Sequence, residues 1–189
     1  MLKEIRPAIV MLVAFTLITG VAYPFAVTGL ATMLFPSQAR GSLIEKDGKV
    51  IGSTLIGQQW KGPGWFHGRP DADNPLATGP SSLGPTSKVL AAAVQTAIRE
   101  EAALGVKHPP ADLVTTSGSG VDPDISPAAA LVQVDVVARA RGLSQAVVRH
   151  LVVEHENGEE LGFLGAPTVD VLQLNEALAK LVGSASNGN

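Results

Sequence analysis

The first forty residues and the rest of the chain follow different patterns. Between Arg6 and Arg40 no side chain carries a charge, and the run AIVMLVAFTLITGVAYPFAVTGLATMLF from Ala8 to Phe35 is almost wholly apolar. As a helix it would extend roughly 42 Å, against a hydrocarbon core of about 30 Å, so it can cross a bilayer with tilt to spare. A secretory signal has an apolar core of about 7–15 residues followed by a small-x-small cleavage site. This run is longer, and the PSQARGS that follows cleaves poorly, so the pattern predicts a retained anchor. Thr16, Gly20, Pro24 and Thr28 recur at four-residue intervals and predict a stripe of small side chains for close packing with a partner helix. Pro24 removes one backbone bond and predicts a kink.

Beyond the anchor the pattern becomes that of a folded domain. Leu43-Ile44 and Val50-Ile51 flank Asp47-Gly48, which reads as a β-hairpin. Lys61 to Pro85 is crowded with Gly and Pro and has neither periodicity. Trp60, Trp65 and Phe66 give it apolar weight, which predicts a long ordered loop. A helix is predicted over Thr86–Leu104, with Leu90, Val94, Ala97, Ile98 and Glu101 at helical spacing and Gly105 as its stop. A second is predicted over Pro127–Arg141, capped by Ser126 and ended by Gly142, although Val132, Val134 and Val136 alternate as in a strand. A third starts at Ser144, with Val147, Val148, Leu151 and Val152 inward, and Asn157-Gly158 reads as a turn. The last starts at Asp170, with Gln173 placed as in a capping box and Val171, Leu174, Leu178 and Leu181 inward. The expected organisation is a short tail (1–7), a transmembrane helix (8–35), one α+β domain with several helices and a small hairpin or sheet (36–182), and a disordered tail (183–189).

Charge narrows the partners. The formal net charge is −3, and the tail ahead of the apolar run carries Lys3, Glu4 and Arg6, so the remainder is one unit more acidic. With no basic run, nucleic acid is excluded as a partner. The chain has no cysteine, hence no disulfide and no thiolate metal site. Basic residues are nearly balanced across the apolar run. Arg6 lies closest to it, and the short N-terminal tail favours a cytoplasmic N-terminus with the domain outside.

The stretch TTSGSGVDPDISPAAALVQ, Thr115 to Gln133, invites chemical readings. A Walker loop needs Gly-Lys-Ser/Thr, and no lysine is present. The Ser117-Gly118-Ser119-Gly120 amides could form an anion nest, or be plain turn chemistry ahead of a helix. Asp122 and Asp124 lack the closing Glu of a calcium loop and fit an Asx-turn leading to the Ser126 cap. His67, His108, His150 and His155 are too scattered for zinc, and Ser119 lacks the setting of a nucleophile elbow. Gln133, a lone amide among valines and alanines, reads as a residue on an exposed helix face or as the source of a specific contact. No catalytic set and no metal site emerge, which points to an accessory subunit.

The blocks LITGVAYPFAVTGLA, GSLIEKDGKVIGSTLIGQ, WFHGRPDAD, SLGPTS, DLVTTSGSGVDPDISPAAALVQ, VARARGL and VDVLQLN, in this order, resemble the C subunit of the bacterial potassium-transporting P-type ATPase, the KdpC family. The chain departs from the usual family pattern at Asp71, where Ser is common, at Ser82, where Asn is common, and at Asp170, where Asn is common. The resemblance implies a single-span, non-catalytic subunit of an ATP-driven, high-affinity potassium uptake pump in the inner membrane. Its partners would be a channel-like potassium-binding subunit and a P-type subunit that hydrolyses ATP. Such C subunits are described as needed for assembly and as catalytic chaperones that raise ATP affinity. The glutamine matching Gln133 and the block Ser117–Gly120 are tied to nucleotide contact. No firmly bound cofactor is implied; ATP would be met through the complex, and potassium is its transported ion. A domain outside the cytoplasm cannot meet cytoplasmic ATP, so topology and nucleotide contact conflict. The alternative is a domain over the outer potassium entrance, where its negative charge would modestly concentrate cations. A lone solute-binding domain and a nucleotide-binding regulator facing the cytoplasm are the remaining classes.

Overall fold

The computed structural model of the chain describes residues 2–46, 48–71 and 78–186. The chain divides into two units, Met1–Ile51 and Gly52–Asn189. In the first, α1 (Leu2–Leu17), a π-turn (Ile18–Ala22) and α2 (Tyr23–Leu34) run on as one helix. Its Lys3–Leu34 portion is long and apolar enough to span a bilayer, and none of its most apolar window is buried in the protein. Where Pro24 predicted a kink, the structure shows a widened turn just before it. Tyr23 N–H donates to Ile18 O, five residues back, so the missing proline N–H is absorbed by a local change of helix type. Thr19 and Thr32 return their hydroxyls to the carbonyls of Phe15 and Thr28, each at 2.7 Å. Such self-pairing satisfies these two hydroxyls without water. A single turn, α3 (Pro36–Ala39), leads to the expected hairpin of β1 (Leu43–Lys46) and β2 (Lys49–Ser53). Gly48 takes the positive φ of its turn; Asp47, the other half of that turn, lies outside the described residues.

The second unit is an α+β domain of α4 (Lys88–Leu104), α5 (Pro127–Arg141), α6 (Gln145–Glu154) and α7 (Val171–Ser186). Its sheet is antiparallel, in the order β3 (Asp124–Ile125), β5 (Thr168–Asp170), β4 (Glu156–Asn157), with Ile125 opposite Val169 and Asn157 opposite Thr168. The strands are two or three residues long, too short to leave an alternating signature. Asn157 therefore does not turn the chain back at Gly158, as its dipeptide suggested; it pairs with the central strand, and a longer loop follows.

The helix termini follow their capping signals. Ser87, Ser126 and Ser144 accept from the N–H three residues on, and Gly105 and Gly142 close α4 and α5 in the left-handed conformation. Asp170 caps α7 through Gln173 N–H at 2.7 Å, and the Gln173 amide returns to the same carboxylate at 3.2 Å. That carboxylate is held above the usual range by burial, against the lowering effect of these bonds. The last helix continues to Ser186, past the point where Gly183 predicted loss of order. One helical glycine costs only about 1 kcal/mol relative to alanine. Residues 187–189 lie outside the described residues.

The core joins α5, α6, α7 and β5 around Val134, Val148, Val169, Leu174 and Leu178. Helix α5 buries a broad face, from Ala129 and Ala130 to Val136 and Val137, and leaves Ala128, Asp135 and Arg139 exposed on the other side. That wide buried face takes in Val134, Val136 and Val137 together, which explains why its valines mimicked strand alternation. Val147, expected inward, is exposed on α6, whereas Val148, Leu151 and Val152 are buried.

Candidate functional site

The long loop anticipated from its Gly and Pro content becomes a strap across the helical core, and it organises the site. Phe66, fully buried, is its anchor. Asn175 on α7 grips the Phe66 backbone on both sides: Phe66 N–H donates to Asn175 Oδ1, and Asn175 Nδ2 donates to Phe66 O, each at 2.9 Å. Gln133 on α5 does the same one residue on. His67 N–H donates to Gln133 Oε1 at 2.8 Å, and Gln133 Nε2 donates to His67 O and to Ala129 O, each at 3.1 Å. Two side-chain amides thus imitate a β-ladder for a segment that pairs with no strand among the described residues. Gln133 is only 3% exposed, which overturns the reading that placed it on an exposed helix face. The strap is also tied at its edge. Arg141 stacks over the Trp65 ring at 3.9 Å and donates to Gly64 O, and Trp60 tilts against Trp65 with centroids 4.8 Å apart.

Ser117–Gly120 and the residues after it form an anion cradle, and its anion is internal. Ser117 N–H and Oγ–H donate to the two oxygens of Asp71, each at 2.6 Å, and Asp122 N–H reaches the same carboxylate at 3.1 Å. Ser117 Oγ also accepts from Gly120 N–H at 2.8 Å, and Ser119 Oγ accepts from Val121 N–H at 3.2 Å. Arg69 braces the same loop, donating to Thr116 O at 3.0 Å and approaching Asp122 at 3.6 Å. Two glycines are required here. Gly120 has φ +73°, and a Cβ on Gly57 would lie 2.3 Å from Asp122 O, where Gly57 N–H pairs with Val121 O. The expected Asx-turn is present, with Asp124 N–H donating to Asp122 Oδ1 at 3.1 Å. Only Gly118 and Ser119 of the four-residue block are exposed.

The opposite wall of the strap is finished differently. Helix α4 buries only Ala97 and Glu101; Leu90, Val94 and Ile98, expected inward, are half-buried. Glu101 Oε2 and Trp60 Nε1 are both buried without a partner, and both residues line a cavity of about 170 Å³ with His67, Arg69 and Glu100. Burial, reinforced by Glu100, pushes the Glu101 carboxyl up to about 7.

The other predicted positions do not converge on this site. Thr16, Gly20, Pro24 and Thr28 are exposed along the apolar helix, with open space beside Gly20. The histidines stay apart: His67 Nε2 meets Gly62 O, His150 meets Glu154, and His155 meets Leu151 O. Among the described residues no three His, Asp or Glu side chains gather to hold a metal. Sequence reasoning missed Asn175 and Asp71. The first was visible as a lone amide between Leu174 and Leu178; the second was noticed only as a departure from the usual family pattern.

The fold and site define a class of protein, an apolar helix joined to an α+β domain whose clustered polar groups hold its own backbone. A family model described as the K+-transporting ATPase c chain, KdpC, matches residues 5–180. Curated relatives named potassium-transporting ATPase KdpC subunit include one from Rhodopseudomonas palustris (strain CGA009) and one from Bradyrhizobium diazoefficiens. Each is 52% identical, over 94% of this chain and 97% of its own length. Another, from Gemmatimonas aurantiaca, is 52% identical over 96% of this chain and 94% of its own. The chain belongs to the KdpC family: it is an accessory subunit of a potassium-transporting ATPase.

Proposed function

We infer that this chain is a membrane-anchored assembly subunit that docks an extracytoplasmic domain against the other pump subunits, without itself contacting ATP. The carrying observation is that the polar groups a nucleotide would need are consumed within the fold. The Ser117 and Asp122 amides and the Ser117 hydroxyl serve Asp71, and the Gln133 amide serves the strap backbone and its own helix. A phosphate entering the cradle would have to displace a carboxylate that is tethered and already bonded at both oxygens. A nucleotide taking Gln133 would leave the His67 N–H and C=O unpaired in a part-buried place, costing up to about 1–3 kcal/mol for each group. The apolar helix then acts as the anchor, with its N-terminus in the cytoplasm. Its stripe from Thr16 to Thr28 packs on a helix of a channel-like, potassium-binding subunit, and a P-type subunit supplies ATP hydrolysis. Any rise in the pump's ATP affinity would come through assembly rather than direct contact.

The test uses the absence of native cysteine. Gly118 is exposed with open space around it, so Gly118→Cys should be tolerated. In intact cells carrying the whole pump, an impermeant maleimide is expected to label it from outside. The purified full-length chain is expected to show no saturable ATP binding. Labelling that requires a breached membrane, or saturable ATP binding lost in Gln133→Ala at a temperature where that variant stays folded, would overturn the reading.

A further inference from the structure

We propose that the loop from Glu159 to Leu164 is a rigid docking tip for a protein partner, one that offers an apolar pocket with a basic rim. The proposal rests on the subunit-docking reading above and gives it a surface. Leu161, Phe163 and Leu164 are 84%, 73% and 52% exposed, the densest exposure of large apolar side chains outside the apolar helix. An exposed apolar cluster loses solvation free energy unless something covers it. The loop is also closed on itself. Glu160 N–H donates to Leu164 O and Leu164 N–H to Glu160 O, both at 2.9 Å, and Gly162 N–H pairs with Glu159 O at 3.1 Å. Leu161 sits at φ +56°, a left-handed conformation that a leucine adopts only where its surroundings hold it. A loop fixed in this way presents its side chains with little ordering entropy left to lose on binding.

Charge identifies the occupant. The stretch from Glu156 to Asp170 holds Glu156, Glu159, Glu160 and Asp170 and no Lys or Arg. Beside the tip lies an open groove of about 700 Å³ lined by Asp124, Asn157, Glu160, Leu164 and Thr168. Asp124 faces Asp170 across the β3–β5 pair, two like charges in register. Burial raises the Asp124 carboxyl, and Asp170 and Asp122 raise it further. A lysine or arginine entering the groove from a partner would relieve that repulsion while Leu161 and Phe163 fill its pocket. An anionic lipid surface would instead meet three exposed glutamates, so a bilayer is the wrong occupant.

A photo-crosslinking residue at Phe163 of the full-length chain, expressed with the other pump subunits, tests this. The expected result is an adduct to one of those subunits, mapped to a segment with both apolar and Lys or Arg residues. The double variant Leu161→Ser, Phe163→Ser is expected to lower co-purification of the complex by about tenfold or more. Its isolated melting temperature should stay within about 2 °C of the parent, since both side chains are exposed. Glu160→Lys should lower co-purification at low salt by about threefold and less at high salt. Adducts to lipid alone, or undiminished co-purification of the double variant, would overturn the docking tip while leaving the subunit reading intact. A parent chain that captures no pump subunit would overturn that reading and the tip with it.

Discussion

Two walls hold the strap that carries Trp65, Phe66 and His67, and they treat buried polar groups in opposite ways. Toward α5 and α7, Gln133 and Asn175 are 3% and 0% exposed, and both carboxamides are bonded to the strap backbone. Toward α4, Glu101 is 7% exposed, yet one carboxylate oxygen has no partner, and neither does the Trp60 indole N–H. Nearly equal burial therefore has opposite consequences. A paired buried amide contributes modestly and fixes one arrangement, whereas an unpaired buried carboxylate opposes folding until it takes up a proton. The strap is locked on one side and only seated on the other.

The sharpest way to break this contrast is at Asn175. Asn175→Ala would leave the Phe66 N–H and C=O buried and unpaired, and a loss of about 3 kcal/mol is expected. For a chain of this size that corresponds to a fall of about 10 °C in melting temperature, read by thermal unfolding of the full-length protein in detergent. A loss below about 1 kcal/mol would mean that the strap backbone finds other partners, and the locked wall would lose its meaning.

The next effect comes from the seated wall and depends on pH. The folded-state value for Glu101 is about 7, above the ordinary 4.5, so folding favours the protonated form. The resulting destabilisation is absent below about pH 4.5, grows as pH rises through that window, and is complete above about pH 7. The charged and titratable groups around the cavity are Glu100, which opposes ionisation, together with His67 and Arg69. Glu101→Gln is expected to match the parent near pH 4.5 and to be more stable by about 2 kcal/mol at pH 8. Melting temperatures at the two pH values decide it. A variant that keeps the parent's pH dependence would place its origin in another group.

What the sequence disclosed follows the same division. Helix ends were legible because capping is local: Ser87, Ser126 and Ser144 sit three residues from the N–H they accept, and Gly105 and Gly142 mark left-handed stops. The apolar helix was legible because hydrocarbon imposes length and composition directly. The three-stranded sheet was not, since its strands are no longer than three residues and pair across the chain from Asp124 to Asp170. The clamp and the filled cradle join residues 109 and 46 positions apart, a separation at which no local pattern survives. Gln133 shows the limit most clearly. Its isolation among apolar residues marked it as unusual, but an amide that reaches a ligand and one that holds the chain's own backbone look the same in sequence. Asp71 is the counterpart: read alone it added a charge to a loop, and only the fold reveals that it occupies the Ser117 cradle.

The smallest effect is expected beside α4, and it tests whether surface charge braces the seated wall from outside. Arg139 pairs with Asp135 one turn earlier on α5, both largely exposed, and Gln145 shares that carboxylate at 2.6 Å. Asp135 and Arg139 line an open groove with Gly105, Lys107 and His108, where α4 ends. Exposed i,i+4 pairs contribute about 0.3–0.5 kcal/mol and are screened by salt. Arg139 also lies in the last turn of α5, where a cation suits the helix dipole. Arg139→Ala is therefore expected to cost about 0.5 kcal/mol at low ionic strength and less in 0.5 M salt, measured by chemical unfolding. A salt-independent loss above about 1.5 kcal/mol would mean that the Arg139 stem packs α4 onto α5. The seated wall would then have a brace that its unpaired Glu101 conceals, and the contrast between the two walls would narrow to their polar groups alone.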